Sequence, residues 1–333
     1  MKIFLDSGAF SVWNKGEKIN LDDYIEFIKK YEKDIDLIAS LDVIPGRPNQ
    51  KASLRDADAA AQEGFRNYEK MLAAGIPTEK LLHTFHQGDP DIYLEKLVKL
   101  GGYIGVSPAN DRTSEQRMNW MDNVCIPQIL DGNGQPKVKF HGFAVTSPRL
   151  IFQYPWTSVD SNSWRLRGGG YALIDLPINL REQTKKEHCY IRSIPIGDGL
   201  QKYNAGTEHP DLFSIERLSQ CDVTLRNPTF KRQIEELLAQ YGFTLEALKN
   251  DHHLRASWNA IYLMSVVKRF STCNLYLASS VLMSVRVLRG AMRRNNISMD
   301  DLNVLVSFAA LRRKKPTLVP SNLDLLIKIK NTI

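Results

Sequence analysis

The chain of 333 residues has only four cysteines, Cys125, Cys189, Cys221 and Cys273, and no two stand close enough to form a CxC or CxxC unit. That spacing argues against a structural zinc site and a disulfide framework, and predicts reduced thiols. Also missing is any apolar run near the roughly 18 to 20 residues that span a bilayer. The first apolar stretch meets Asp6 too early to be a signal-peptide core. These absences predict a cytoplasmic protein with no membrane association. There is no internal repeat, no low-complexity segment and no GxGxxG loop.

Acidic residues are scarce at one end. Residues 250–333 hold 13 Lys/Arg but only 4 Asp/Glu, whereas residues 1–249 hold 31 against 33. The basicity of the chain therefore belongs to its last quarter, which points to a polyanionic partner, nucleic acid first. Within it, Arg286, Arg289, Arg293 and Arg294 can share one face of a helix, and Arg312 to Lys315 form a second cluster.

What is present is an alternation. Short apolar segments at 3–5, 37–43, 81–85, 103–106, 138–145, 157–159, 172–176 and 191–196 read as strands. Amphipathic stretches at 21–31, 53–74 and 91–100 read as helices between them, the last stopped by Gly101-Gly102. Strands alternating with helices imply a parallel sheet, and about eight of them without a dinucleotide loop favour a TIM-like (β/α)8 barrel, irregular in its later, shorter units. From about residue 206 helical patterns dominate, at 229–241, 245–254, 258–270, 275–295, 299–313 and 322–330. The expectation is an α/β catalytic barrel over 1–205 followed by a basic helical region over 206–333.

A barrel builds its site at the C-terminal ends of its strands. In order those ends carry Asp6-Ser7-Gly8, Asp42, His86-Gln87-Gly88, Gly105-Val106-Ser107, His141-Gly142-Phe143 and Asp160-Ser161. One Asp-Ser pair is ordinary turn chemistry, but three carboxylates at one mouth suit glycosidic bonds, one acting as nucleophile and another shuttling the proton. An aromatic ring beside them can stack on a base or a sugar, and amide groups can read a heterocycle's edge. His83 and His86, three apart on a strand, fall on opposite faces and do not share a metal.

Four segments carry a family resemblance: DSGAF at 6–10, FHQG at 85–88, GYIGVSP at 102–108 and SVDSNSW at 158–164. Together, in this order, they resemble the tRNA-guanine transglycosylase superfamily. The nearer likeness is to the phage and bacterial DpdA-type enzymes that insert 7-deazaguanines into DNA. The resemblance covers roughly residues 1–200. It implies Asp160 as the nucleophile on the sugar C1′ and Asp6 as the general acid/base. It implies Phe10 stacked on the base, with Ser7, Asp42, His86, Gln87 and the Gly105-Val106-Ser107 segment around it. Arg165 or Arg167 would hold a phosphate, and Gly168-Gly169-Gly170 would let backbone come close.

The partners implied are guanine-containing DNA and a free 7-deazaguanine such as preQ0, in the host cytoplasm if a phage encodes the chain. No redox cofactor, nucleotide or metal is required, because one N-glycosidic bond replaces another. The tRNA enzymes carry a CxCxxC…H zinc site that this chain lacks, which favours DNA, with the basic C-terminal stretch as platform. A tRNA-guanine transglycosylase, a nucleoside or glycoside hydrolase and a non-catalytic nucleic-acid-binding barrel remain the alternative readings.

Overall fold

The computed structural model describes residues 1–46, 53–109, 112–196, 225–278, 288–290, 292–293, 297–312 and 322–331. Its strands are β1 (Lys2–Asp6), β2 (Leu37–Ala39), β3 (Leu81–His86), β4 (Tyr103–Ser107), β5 (Lys139–Gly142), β6 (Ser158–Ser161), β7 (Leu173–Pro177), β8 (Ile191–Pro195), β9 (Asn274–Ala278) and β10 (Asn303–Ser307). Eight of them close a parallel barrel in the order β1-β2-β3-β4-β5-β6-β9-β10, with β10 returning to β1. This is the TIM-like (β/α)8 architecture that the alternation predicts.

The strand assignments differ from expectation in two places. The segments 172–176 and 191–196 do not join the barrel; β7 and β8 pair only with each other, antiparallel. The barrel is completed by segments read as helical. Within 275–295, Asn274–Ala278 is a strand, and within 299–313, Asn303–Ser307 is another. Both are short apolar runs buried on two faces, where helical and strand periodicity cannot be told apart. The barrel therefore does not end at residue 205. A long excursion separates β6 from β9, holding the β7–β8 hairpin and the helices Pro228–Gln240, Leu245–Asn250 and His252–Phe270.

Local chemistry explains the elements that fit expectation. Asn20 accepts hydrogen bonds from Asp22 and Asp23 at the start of the Leu21–Tyr31 helix. Ser53 and Asp56 form a reciprocal capping box on Leu54–Ala73. Asn227 caps Pro228–Gln240.

Side chains alternate between the inside and outside of the barrel. Phe4, Leu37, Ala39, Leu82, Tyr276 and Leu305 pack with one another inside it. A second, larger core lies between the strands and the helices. The excursion is held together by His252–Phe270. Arg255 donates to the carbonyls of Gly168, Leu248 and Lys249. Asn259 donates to Trp164 and Leu173 and accepts from Asp175. Among the described residues no helix is long and apolar enough to cross a membrane.

Candidate active site

β1 delivers Asp6 as its last residue. Gly8 follows at φ +79, and a Cβ there would collide with Ser307 Oγ and Ala309 Cβ at the end of β10. Only glycine makes this turn without strain. The turn leads into the short Ala9–Trp13 helix, which sets Phe10 on the rim of the mouth. Phe10 is 53% exposed and stacks on Trp13 with ring centroids 5.9 Å apart.

Asp6 Oδ2 accepts from Gly8 N at 3.1 Å. Loss of solvent, then the negative charges of Asp42 and Asp160, push its carboxyl up to about 7. The strand ends thus place three carboxylates within each other's field, and one of them retains its proton near neutrality.

Asp42 stands just beyond β2, with Ser7 Oγ donating to its Oδ1 at 3.3 Å. His86 Nε2 lies 3.1 Å from its Oδ2, and the other ring nitrogen of His86 is 3.4 Å from Asp89. Burial alone would lower the His86 value, but hydrogen bonds and charge from Asp42 and Asp89 override it and raise it to about 10. Burial opposes ionisation of Asp42, yet His86 holds its carboxyl below the ordinary range. His83 points the other way, bonded to Ser40 Oγ at 2.7 Å under the Leu54–Ala73 helix, and burial lowers it to about 4. The two histidines occupy opposite faces, as their spacing requires.

Asp160 points into the barrel from β6, beside Tyr276 in register on β9. Its Oδ1 accepts from Ala144 N at 2.8 Å and faces His141 Nε2 at 3.4 Å. Ala144 adopts φ +52, a conformation unusual for a residue with a Cβ, and in it the N–H meets the carboxylate. No hydrogen bond from the described residues reaches Oδ2, so one oxygen is fixed and the other is not.

Not every expected site residue lines this mouth. Val106 is fully buried in the outer core, because strand alternation turns it away from the barrel interior. Gly105 faces inward, but the Phe143 ring occupies the space above it: a Cβ on Gly105 would sit 2.7 Å from that ring. Gln87 uses its Oε1 to accept from Ala109 N at 2.9 Å, tying down the loop after β4. Ser107 is half-buried, paired in register with His86, and its carbonyl accepts from Gln87 N.

The proposed phosphate ligands divide. Arg165 is half-buried in the turn after β6. Arg167 is committed inside the fold, where its guanidinium donates to buried Asp175 at 2.7 and 3.1 Å. The close backbone approach at Gly168 is to Ala256, whose nitrogen would lie 2.5 Å from a Cβ, and so serves packing. Arg286 and Arg294 lie outside the described residues, as do residues 313–315 of the second basic cluster. Arg293 is exposed and Arg289 is half-buried.

No protein-family model and no curated protein matches this chain. The site therefore rests on its own geometry. Sequence reading named His141 and Phe143 at a strand end without giving them a role, and it passed over Asp89. His141 and Phe143 share inward parity on β5 and its continuation, and that parity was their signal. Asp89, in Gly88-Asp89-Pro90, looks like turn chemistry alone. Among the described residues no cluster of His, Cys, Asp and Glu is arranged to hold a metal ion.

Proposed function

We propose that this protein is a base-exchange transglycosylase that replaces guanine in DNA with a 7-deazaguanine. The observation that carries the reading is the pairing of two unlike carboxyls at one barrel mouth. Asp160 has one oxygen fixed by the Ala144 N–H, while no hydrogen bond from the described residues holds the other. Asp6 holds a proton near neutral pH. Two carboxyls with divergent environments are the equipment of retaining glycosyl transfer.

In this mechanism Asp160 Oδ2 attacks C1′ of the target nucleotide. The C1′–N9 bond breaks, its electron pair leaves with the guanine, and Asp6 gives that base its proton. The incoming base then loses its N9 proton to the Asp6 carboxylate. Its nitrogen attacks C1′ and the C1′–Oδ2 bond breaks, restoring both carboxyls. Asp42, kept anionic by His86, accepts N–H groups on the edge of the base, and Phe10 offers a stacking face at the rim. The target nucleotide has to be extruded or single-stranded for C1′ to be reached. The basic C-terminal quarter and the family resemblance support DNA as the polymer.

The test incubates the protein with duplex DNA, single-stranded DNA or tRNA, each with preQ0, followed by digestion and nucleoside mass spectrometry. A deazaguanine deoxynucleoside that is absent with Asp160→Asn supports the proposal. Modified tRNA with unmodified DNA would transfer the same chemistry to another polymer. Free guanine without incorporation would make the protein a hydrolase.

A further inference from the structure

A chain of hydrogen bonds runs up the inside of the barrel to Asp160. The Tyr103 hydroxyl lies 2.6 Å from Ser158 Oγ, and Ser158 Oγ lies 2.6 Å from His141 Nδ1. His141 Nε2 then faces Asp160 Oδ1 at 3.4 Å. His141 is fully buried and walled by Phe4, Phe143 and Tyr276, with ring centroids 4.9, 4.6 and 6.2 Å away. No turn, cap or helix end needs this polar chain, and an apolar ring would pack among those aromatics without it.

The direction of every proton in the chain follows from its last member. A carboxylate oxygen only accepts, so His141 Nε2 carries the hydrogen. A neutral imidazole then has a bare Nδ1, which accepts from Ser158. The Ser158 oxygen in turn accepts from Tyr103. Burial lowers the His141 value, in keeping with the neutral ring. A second tautomer would leave Nε2 and Oδ1 as two acceptors facing each other.

We propose that His141 is a positioning residue for Asp160, locked by Tyr103 and Ser158 as the Nε2–H tautomer so that it stabilises the Asp160 carboxylate as leaving group in the second half of the exchange. The inference rests on the base-exchange reading above. While the sugar is bound through Oδ2, Oδ1 is an ester carbonyl. When the C1′–Oδ2 bond breaks, the electron pair returns to the carboxylate, and the His141 and Ala144 N–H groups receive the growing charge on Oδ1. In the first half-reaction the same bonds hold Oδ2 toward C1′.

Two measurements test this. The first is a long-range 1H–15N spectrum of 15N-histidine-labelled protein, with the His141 signals assigned by their loss in His141→Gln. It needs no substrate. The expected pattern is a neutral ring protonated at Nε2, giving way to mixed tautomers in Tyr103→Phe. An imidazolium, or a ring protonated at Nδ1, overturns the proposal.

The second follows the covalent protein–DNA adduct on denaturing gels. In His141→Leu the adduct accumulates and its resolution slows about 10- to 100-fold, the range that a hydrogen bond to a charged group converts to. KM for the free base stays within about twofold. His141→Gln, which keeps an amide N–H directed at Oδ1, resolves the adduct faster than His141→Leu. If His141→Leu fails to fold, Tyr103→Phe and His141→Gln carry the comparison. Wild-type resolution rates in His141→Leu and Tyr103→Phe overturn the proposal. Wild-type protein that forms no adduct with any polymer defeats the base-exchange reading itself, while the tautomer still decides whether His141 donates to Asp160.

Discussion

Asp42 Oδ2 lies 3.1 Å from His86 Nε2, and the same ring's Nδ1 lies 3.4 Å from Asp89. His86 is held far above its ordinary 6.5, so the stabilisation it gives is complete below that value and is lost as pH rises through about 10. Wild-type protein should therefore lose stability between pH 6.5 and 9 with a component of up to about 1.4 kcal/mol per pH unit from this one proton. His86→Gln should remove that component. Urea midpoints of both proteins at pH 6.5 and 9 check it, and parallel slopes would refute it.

Asp6 carries a consequence of the same sign in a lower pH window. Its carboxyl is raised from 3.8 to about 7, first by burial and then by Asp42 and Asp160. The stability tied to its proton is full below 3.8 and disappears as pH rises through about 7. Asp6→Asn should match wild type near pH 4 and exceed it at pH 8.5, while abolishing base exchange. Exchange by the wild type should fall as pH rises above about 7, where the donor is lost. A rate that keeps rising to pH 9 would remove Asp6 from the role of acid.

Arg167 and Asp175 form a pair whose carboxylate is fully buried. Arg167→Met should cost about 3–5 kcal/mol, because it leaves that charge uncompensated. Adding Asp175→Asn should restore much of the loss. Thermal or urea denaturation decides between this role and phosphate binding. A phosphate ligand would instead weaken DNA affinity at unchanged stability.

The three glycines after Arg167 should separate sharply. Gly168→Ala places a methyl against the Ala256 backbone, which has no flexible end to swing aside. A cost of about 1–3 kcal/mol is expected. Gly170→Ala meets nothing within 4 Å and should leave the melting temperature nearly unchanged. Equal effects at the two positions would contradict the packing role.

The part of the site legible in the sequence was the part written as strand ends. Asp6, Asp42, His86 and Asp160 each follow a short apolar run, and the barrel brings them to one mouth. Roles fixed by partners distant in sequence could not be read. Arg167 was read as a phosphate ligand from the resemblance alone, and its partner Asp175 lay in a segment, 172–176, expected to be a barrel strand. Val106 and Gly105 fell inside a motif whose alternation assigns one to the outer core and the other to a floor beneath Phe143. The NVLVS run at 303–307 had helix-like neighbours on both sides, and only closure against β1 marks it as strand.

That closure has a consequence for how the protein comes into being. Lys2 pairs with Asn303, and the backbone N–H of Lys2 bonds to the Asn303 side chain across 301 residues of chain. Contacts of such separation form late, since the intervening loop has to be ordered first. During synthesis β1 emerges first and waits with an unpaired edge until β9 and β10 follow. The turn at Gly8 acquires its neighbours Ser307 and Ala309 only then. The enclosure that raises the Asp6 carboxyl is therefore complete only when the last strand docks.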